Sequence, residues 1–270
     1  RQPWAGLSTL LYPAALDIRP LVEPWAWEPT TSGHINLDPG FDDECTFNII
    51  AENHVPGRDL VFDGFEARQL PPEFYAAVIM GLEEEVRGFG APPMLEAEAV
   101  RLARQFRELP EMPVYGDPAG AQRTSGESWY DKMILYSLEH NWRKRENGRP
   151  KPLVIEVNFR RNRFSGELGR RSSMMLWLPR LDFNQNPQAI ATLTALQKSR
   201  LDEPGSRGRV AEQRNARHDQ YSHRRTAMEF SAVRLDERRQ GDKMARAKPY
   251  MGNQGTRIRL SRTSHSIARE

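Results

Sequence analysis

Two short segments of this 270-residue chain share one pattern, an apolar run that ends in Asp-Pro and then turns on a glycine. The first is residues 34–40, His-Ile-Asn-Leu-Asp-Pro-Gly, and the second is residues 113–120, Pro-Val-Tyr-Gly-Asp-Pro-Ala-Gly. Proline cannot donate a hydrogen bond to a sheet, so each Asp-Pro pair ends a strand. The pattern therefore predicts Asp38 and Asp117 at the carboxyl ends of two strands, where side chains point into a crevice. A single Asp-Pro-Gly is common in ordinary turns, and the repetition is what makes the pattern informative.

The composition is that of a globular protein, with 38% hydrophobic and 28% charged residues, which allows a packed core. No apolar run approaches the roughly 18 residues of a membrane span, and no signal-peptide pattern is present. We therefore expect a cytoplasmic protein without a membrane partner. Cys45 is the only cysteine, which excludes an internal disulfide and a cysteine-based zinc cluster.

The net charge of +3 conceals a strong asymmetry between the two halves of the chain. Residues 1–140 hold 10 Lys/Arg and 23 Asp/Glu, a balance of −13, whereas residues 141–270 hold 29 Lys/Arg and 13 Asp/Glu, a balance of +16. A basic half suggests a polyanionic partner, and arginine forks match phosphate oxygens. An acidic half that binds metal beside a basic half that binds phosphate favours a nuclease, although a solubility role for the charge stays open.

Short connections predict an antiparallel meander of three strands at residues 34–40, 46–51 and 60–65. Residues 1–33 are rich in proline and tryptophan without a sustained period, and we interpret them as a linker or N-terminal extension that packs on a neighbour. Two further strands are predicted around residues 114–117 and, as a continuous apolar run of the parallel type, 153–157. The remaining periodic segments predict helices, with bounds 72–88, 96–109, 129–140 (capped by Ser128), 164–178, 187–201 and 223–234.

This order of elements resembles that of the ribonuclease H-like nucleases, with an extra helix after the third strand. We therefore predict an α/β fold, a ribonuclease H-like mixed sheet of three antiparallel and then parallel strands, flanked by helices. The predicted domain covers residues 34–239, and residues 240–270 form a basic tail. In the resembled fold, catalytic carboxylates lie on the first strand, at the end of the fourth strand and on the last helix. Asp38 and Asp117 match the first two places.

A more specific resemblance comes from the segment that opens the last predicted helix. Tyr221-Ser222-His223 is followed by Thr226-Ala227 and Phe230. Together with Asp-Pro-Gly and Asp-Pro-Ala-Gly, this segment resembles the C-terminal nuclease domain of the large terminase subunit of tailed bacteriophages, over residues 34–234. That family often carries Tyr-Ser-His-x-x-Asp-Ala-x-x-Tyr at this place.

The sequence departs from the family pattern at the third carboxylate. The pattern would place an aspartate at position 226, where this chain has Thr226. Asp219 has the required charge, so the resemblance implies Asp38, Asp117 and Asp219 as catalytic and metal-binding residues. The alternative, that Asp219 only caps the helix, has similar weight. His223 could contact the scissile phosphate or orient a ligand, although a lone histidine on a helix is more often structural.

Other charged residues are candidates for accessory roles. Asp43, with its neighbours Asp42 and Glu44, could bind a metal, but a solvated acidic loop is the stronger interpretation. The resemblance places a basic, DNA-binding helix beside the active site, after the strand at 153–157. The arginines in this region are candidates to grip the DNA backbone without reading sequence, although an ordinary solvated face is also possible: Arg160, Arg161, Arg163, Arg170 and Arg171.

The resemblance implies a two-metal endodeoxyribonuclease that uses Mg²⁺ or Mn²⁺ to cut concatemeric viral double-stranded DNA during genome packaging. One ion would generate the attacking hydroxide and the other would stabilise the leaving 3′ oxygen. The implied partners are a terminase ATPase domain, a small terminase subunit and the portal, in the host cytoplasm. No Gly-x-x-x-x-Gly-Lys-Ser/Thr motif occurs, so this chain carries no ATPase site of that type.

Two alternatives share the fold. If Thr226 marks a lost ligand, the domain is a catalytically inactive DNA-binding or docking module. Another ribonuclease H-like enzyme, such as a resolvase or a transposase, is the third possibility, which the Tyr-Ser-His segment disfavours.

Overall fold

The protein is described by a computed structural model at residues 10–40, 43–122, 126–140, 145–146, 149–150, 153–157, 167–201, 220–239 and 248–249. Nine strands occur in these ranges. Seven form one sheet and two form a separate pair. Their bounds are β1 Gly33–Asp38, β2 Glu44–Val55, β3 Arg58–Arg68, β4 Val114–Gly116, β5 Arg145–Glu146, β6 Arg149–Pro150, β7 Ile155–Val157, β8 Leu181–Phe183 and β9 Lys248–Pro249.

The main sheet has the order β8-β3-β2-β1-β4-β7-β9, with β1 at its centre. Strands β1, β2 and β3 are antiparallel neighbours. Strand β4 joins β1 in parallel, and β7 joins β4 in parallel. This arrangement confirms the predicted ribonuclease H-like mixed sheet of antiparallel and then parallel strands. Two edge strands were not predicted, namely β8, parallel to β3, and β9, antiparallel to β7.

Helices flank both faces of the sheet. Their bounds are α1 Pro72–Met80, α2 Glu83–Gly88, α3 Pro93–Glu108, α4 Trp129–Glu139, α5 Glu167–Trp177, α6 Pro187–Lys198 and α7 Ser222–Arg239. The single helix predicted over residues 72–88 is wrong, because Gly81 adopts a left-handed conformation with φ 74° and ends α1. Glycine tolerates this conformation without steric cost, so it breaks the four-residue apolar period there. None of the helices in the described ranges is long and apolar enough to cross a membrane.

The alternation of side chains along β1 sends two kinds of residue to the two faces of the sheet. Ile35 and Leu37 enter a hydrophobic core with α1, α2, α3 and α4. His34, Asn36 and Asp38 point to the other face, where all three contact residues of α7. This division follows from the two-residue period of a strand. The second face also has its own hydrophobic core, formed with α5, α6 and α7.

Residues 10–32 pack on the domain itself. Leu11, Tyr12 and Ala15 are buried in the second core. Trp25 and Trp27 lie edge-on to Phe62 of β3, with ring centroids 5.8 and 5.1 Å from the Phe62 centroid. The N-terminal segment is therefore part of the packed unit in the described residues.

Candidate functional site

The sheet brings Asp38 and Asp117 together at one end of its central pair of strands. Strands β1 and β4 run parallel with Leu37 opposite Gly116, so each aspartate directly follows the last residue that pairs between these two strands. The Asp117 N–H donates to the Leu37 carbonyl at 3.1 Å. The two carboxyl groups interact directly, by repulsion when both are ionised and by a hydrogen bond when one holds a proton. The juxtaposition expected from the repeated Asp-Pro pattern is therefore present.

The electrostatics of this pair are those of crowded, desolvated acids. Burial raises the pKa of Asp38, and the hydrogen bond from His223 opposes that rise. Burial also raises the pKa of Asp117 to about 6, with a further contribution from the Asp38 charge, while the Ala119 N–H and Arg170 act in the opposite direction. A cation between the two carboxylates would relieve both the desolvation and the repulsion.

Two glycines and a tyrosine fix the loop that carries Asp117. A Cβ atom at Gly116 or Gly120 would overlap the Tyr130 ring, so only glycine allows this close approach. The Tyr130 hydroxyl donates to the Asp117 carbonyl at 2.9 Å. The Asp117 Oδ1 atom accepts from the Ala119 N–H at 2.7 Å and caps the short 3-10 turn Pro118–Ala121. Gly116, just before the Asp-Pro-Ala-Gly segment, and Gly120, at its end, therefore have a packing role that the sequence motif alone did not explain.

Helix α7 delivers His223 to the acidic pair. Its Nδ1 atom lies 2.9 Å from Asp38 Oδ2, and its Nε2 atom lies 3.7 Å from Glu44 Oε2. The hydrogen bond with Asp38 raises the pKa of His223. Further along α7, Met228 Sδ accepts from Asn36 Nδ2 at 3.4 Å, and Ser231 Oγ lies 2.5 Å from His34 Nε2. The polar face of β1 thus runs along α7 and fixes the helix register.

A second group of potential ligands lies on the other side of His223. Asp43, Glu44 and His223 each place one ligand atom within 4.8 Å of the others. Glu44 also pairs with Arg68. Burial alone would raise the pKa of Glu44, but the hydrogen bond from Arg68 and the nearby charges lower it, so this carboxylate is ionised at neutral pH. Asp43 is exposed and Glu44 is partly buried, so Glu44 belongs to the site wall and not to a fully solvated loop.

The arginines predicted to bind DNA differ in their distance from the acidic pair and in whether the structure describes them. Arg170 on α5 is close enough to lower the pKa of both Asp38 and Asp117 by its charge. Arg171 is half-buried on the same helix. Thr226 is half-buried on α7, three residues after His223. Five candidate residues lie outside the described ranges, namely Asp42, Asp219, Arg160, Arg161 and Arg163.

The donor set of this site suits a hard divalent cation. Carboxylate oxygens are the ligands that Mg²⁺ and Mn²⁺ prefer, and Asp38 and Asp117 supply them at one point. Burial raises the pKa of each acid more than the hydrogen bonds and the nearby arginine charge lower it, and a bound cation would offset that effect. On these grounds the residues fit a metal ion. His34 and Asn36 were not predicted as parts of this region, and Glu44 was expected in a solvated loop.

Comparison with known proteins finds similarity only at the level of structure. No family model matches the chain, and no curated protein matches it. Among solved structures, the large terminase from a thermophilic bacteriophage in crystal form 3 gives a TM-score of 0.45 at 11% identity, over 78% of this chain and 42% of that chain. Crystal form 2 of the same terminase gives a TM-score of 0.47 at 11% identity, over 78% and 41%. The chain therefore spans about two fifths of the length of the terminase chains to which it is similar.

Proposed function

We propose that the protein is a metal-dependent DNA endonuclease, the nuclease module of a phage large terminase subunit, which cuts concatemeric viral DNA during packaging. The observation that carries the proposal is the pair of carboxylates of Asp38, which is buried, and Asp117, which is half-buried, held side by side at the ends of two parallel strands. Crowded carboxylates repel each other, and acids whose pKa values are shifted by burial and by a neighbouring charge are typical of functional sites. Binding a divalent cation is the role that their chemistry fits.

Asp38 and Asp117 would hold the metal, which is Mg²⁺ or Mn²⁺. When bound, a pair of such ions supplies Lewis-acid activation of the attacking water and stabilises the leaving 3′ oxygen. Asp38 lies between Asp117 and His223, which suits it to a bridging role. The third ligand in the proposal is Asp219. Glu44, Asp43 and His223 offer further ligand atoms near one another, and His223 also contacts Asp38.

Arg170 and Arg171 are proposed to contact the DNA backbone. Arg170 is the stronger candidate, because its charge affects the pKa of both aspartates and its side chain is 22% exposed. Arginine on phosphate fixes the position of a duplex without reading its sequence. We also propose that the ATPase domain, the small terminase subunit and the portal are partners, with the host cytoplasm as the place of action. The Asp-Pro-Gly, Asp-Pro-Ala-Gly and Tyr-Ser-His segments support these assignments.

The test is cleavage of supercoiled plasmid with Mn²⁺ by the wild-type chain and by Asp38→Asn and Asp117→Asn. We expect each variant to lose at least about 100-fold in rate, because changes merely next to a metal ligand already cost roughly 10- to 100-fold. Asp182→Asn is the matched control, since Asp182 is a partly buried aspartate on β8 of the same sheet and pairs with Arg58 and His54. Calorimetry with Mn²⁺ should show binding to wild type and control, and weaker binding to both site variants.

The alternative is a catalytically inactive DNA-binding module, which the threonine at position 226 favours. In that case the wild-type chain binds duplex DNA, but Mn²⁺ produces neither a calorimetric signal nor nicked plasmid. That result would overturn the nuclease proposal. Cleavage by wild type that persists in Asp38→Asn would overturn the assignment of the site.

A further inference from the structure

A buried ionic cluster lies on α7 behind the acidic pair. Glu229 is 1% exposed. Its Oε1 atom lies 3.4 Å from Arg225 Nε, one helical turn earlier, and its Oε2 atom lies 3.5 Å from Arg170 Nε on α5. One buried carboxylate therefore faces two guanidinium groups. A buried carboxylate is costly unless such partners compensate it, so the arrangement constrains where both arginines lie.

The two arginines differ in what they can reach. The Arg225 side chain is 6% exposed and is enclosed in the protein. The Arg170 side chain is 22% exposed, and its guanidinium carbon lies 4.9 Å from the centroid of the Phe230 ring. Arg170 is thus held on one side by Glu229 and on its flat face by an aromatic ring. It keeps a solvent-facing portion, and its charge acts on Asp38 and Asp117 by opposing the rise in their pKa values.

The N-terminal segment completes the cluster. The Tyr12 hydroxyl donates to Glu229 Oε1 at 2.6 Å, and the Tyr12 side chain is buried. A carboxylate is planar, so fixing Oε1 also fixes the direction of Oε2, which is the atom that faces Arg170. A hydrogen bond to an ionised acceptor is short and strong. Tyr12 lies 217 positions from Glu229 in sequence, so no local pattern in the sequence indicates the contact.

We propose that Tyr12 and Glu229 are positioning residues that hold the Arg170 guanidinium where it meets a DNA phosphate beside the Asp38–Asp117 pair. This inference rests on the proposed function for the DNA contact of Arg170. It adds that residues 10–18, which precede the sheet, act on the site through one hydroxyl group. Tyr12 and Glu229 do not themselves touch DNA in this proposal. Their effect on binding passes through Arg170.

The experiment measures binding of a fluorescein-labelled duplex by anisotropy, in EDTA and over a series of salt concentrations. The variants are Tyr12→Phe, Glu229→Gln, Arg170→Gln and the double variant Tyr12→Phe/Arg170→Gln. Tyr75→Phe is the matched control, because Tyr75 is also a buried tyrosine, its hydroxyl donates to the Ala67 carbonyl at 3.1 Å, and it lies in the opposite core. Thermal unfolding of every variant reports any loss of stability separately.

We expect Arg170→Gln to weaken binding about tenfold, as loss of a charged hydrogen bond does, and to lower the salt slope by about 0.9, as loss of one phosphate contact does. Tyr12→Phe and Glu229→Gln should lower affinity and slope in the same direction, Tyr12→Phe by about threefold, and Tyr75→Phe should change neither. The double variant should bind no more weakly than Arg170→Gln alone, since the two changes act through one contact.

Three results would overturn the proposal. They are equal binding by Tyr12→Phe and Tyr75→Phe, an unchanged salt slope in Arg170→Gln, and multiplicative effects in the double variant. Binding is measured without metal, so it tests this proposal separately from cleavage. The expected binding pattern without any plasmid cleavage would overturn the nuclease proposal but support this one. Normal plasmid cleavage, with independent effects of Tyr12→Phe and Arg170→Gln on binding, would support the nuclease proposal and overturn this one.

Discussion

The two faces of the sheet are filled in different ways. The face covered by α1, α2, α3 and α4 is packed with aliphatic and aromatic side chains. Among them, the Phe47 ring centroid lies 5.9 Å from that of Phe65 and 6.0 Å from that of Phe106. The face covered by α5, α6 and α7 has a smaller apolar core and, beside it, buried polar groups of β1 and β2. The first face stabilises the fold mainly by burying apolar surface, and the second adds hydrogen bonds and ion pairs that fix the positions of individual side chains.

The polar contacts on the second face connect the centre of the sheet to its covering helices. Asn36 Oδ1 accepts from Asn48 Nδ2 at 3.0 Å, and Asn48 Oδ1 accepts from Thr192 Oγ1 of α6 at 2.6 Å. Arg224 of α7 donates to Thr192 Oγ1 at 3.3 Å and pairs with Glu66 at 3.2 Å. Arg224 directly follows His223. The network therefore fixes the end of α7 that delivers His223 to Asp38, and apolar packing alone would leave that position less defined.

The largest effect on stability should come from the apolar face. Phe47→Ala removes a fully buried ring from the centre of that core, and we expect a loss of about 3–5 kcal/mol in the free energy of unfolding. The rate of plasmid cleavage per folded molecule should stay close to wild type. Urea denaturation and a cleavage assay on the folded fraction measure the two quantities. A large fall in cleavage by the folded fraction would contradict the separation of roles between the faces.

The next effect concerns pH and arises from the second face. The pKa of Asp117 is raised from 3.8 to about 6, so between these values the folded state holds a proton that the unfolded state has released. The contribution of Asp117 to the stability of the metal-free protein should therefore fall as pH rises from about 4 to about 6. His223 acts in the same direction at higher pH, since its pKa is raised above 6.5 and its contribution is lost as pH rises through that raised value.

Asp117→Asn sharpens this pH prediction. The amide cannot ionise, so the fall in unfolding temperature between about pH 4 and pH 6, measured in EDTA, should become smaller than in wild type. Asp182→Asn is the control, because the pKa of Asp182 is lowered and not raised, as its bonds from Arg58 and His54 outweigh its burial. A wild-type profile that rises over this interval, with no change in Asp117→Asn, would show that the carboxylate pair is not crowded.

A smaller effect tests the polar network directly. Thr192→Val keeps the shape of the side chain but leaves Asn48 Oδ1 without its donor on α6, and we expect a loss of about 1–3 kcal/mol. Thr194→Val is the matched control, since the half-buried Thr194 hydroxyl donates to the Ile190 carbonyl within α6. The free energies of unfolding of the two variants should differ by at least about 1 kcal/mol. Equal values would mean that the contact to β2 adds nothing beyond the helix bond.

The sequence predicted those features that depend on near neighbours. The Asp-Pro pattern located the ends of β1 and β4, and the Ser128 cap of α4 is present as a reciprocal pair with Asp131. What it missed depends on distant partners or very short elements. Strand β8 has three residues, too few to show a periodic pattern. His34 and Asn36 are polar because they contact residues of α7, which lie more than 190 positions away in sequence. The proposed third ligand, Asp219, remains a prediction.

The smallest effect should come from exposed ion pairs outside both cores. Arg104 and Arg107 of α3 each pair with Glu83, at 2.9 and 3.1 Å, with side chains that are more than half exposed. Solvent screens such pairs, and holding two long side chains in place opposes the gain. We expect Arg104→Ala to leave the unfolding midpoint in urea unchanged within error. Arg224→Met, by contrast, removes the cation that pairs with Glu66 beside a buried network. This variant should unfold at a clearly lower urea concentration. Equal urea midpoints for these two variants would mean that a buried ion pair contributes no more to stability than an exposed one. That result would contradict the contrast between the protein surface and the polar face of the sheet.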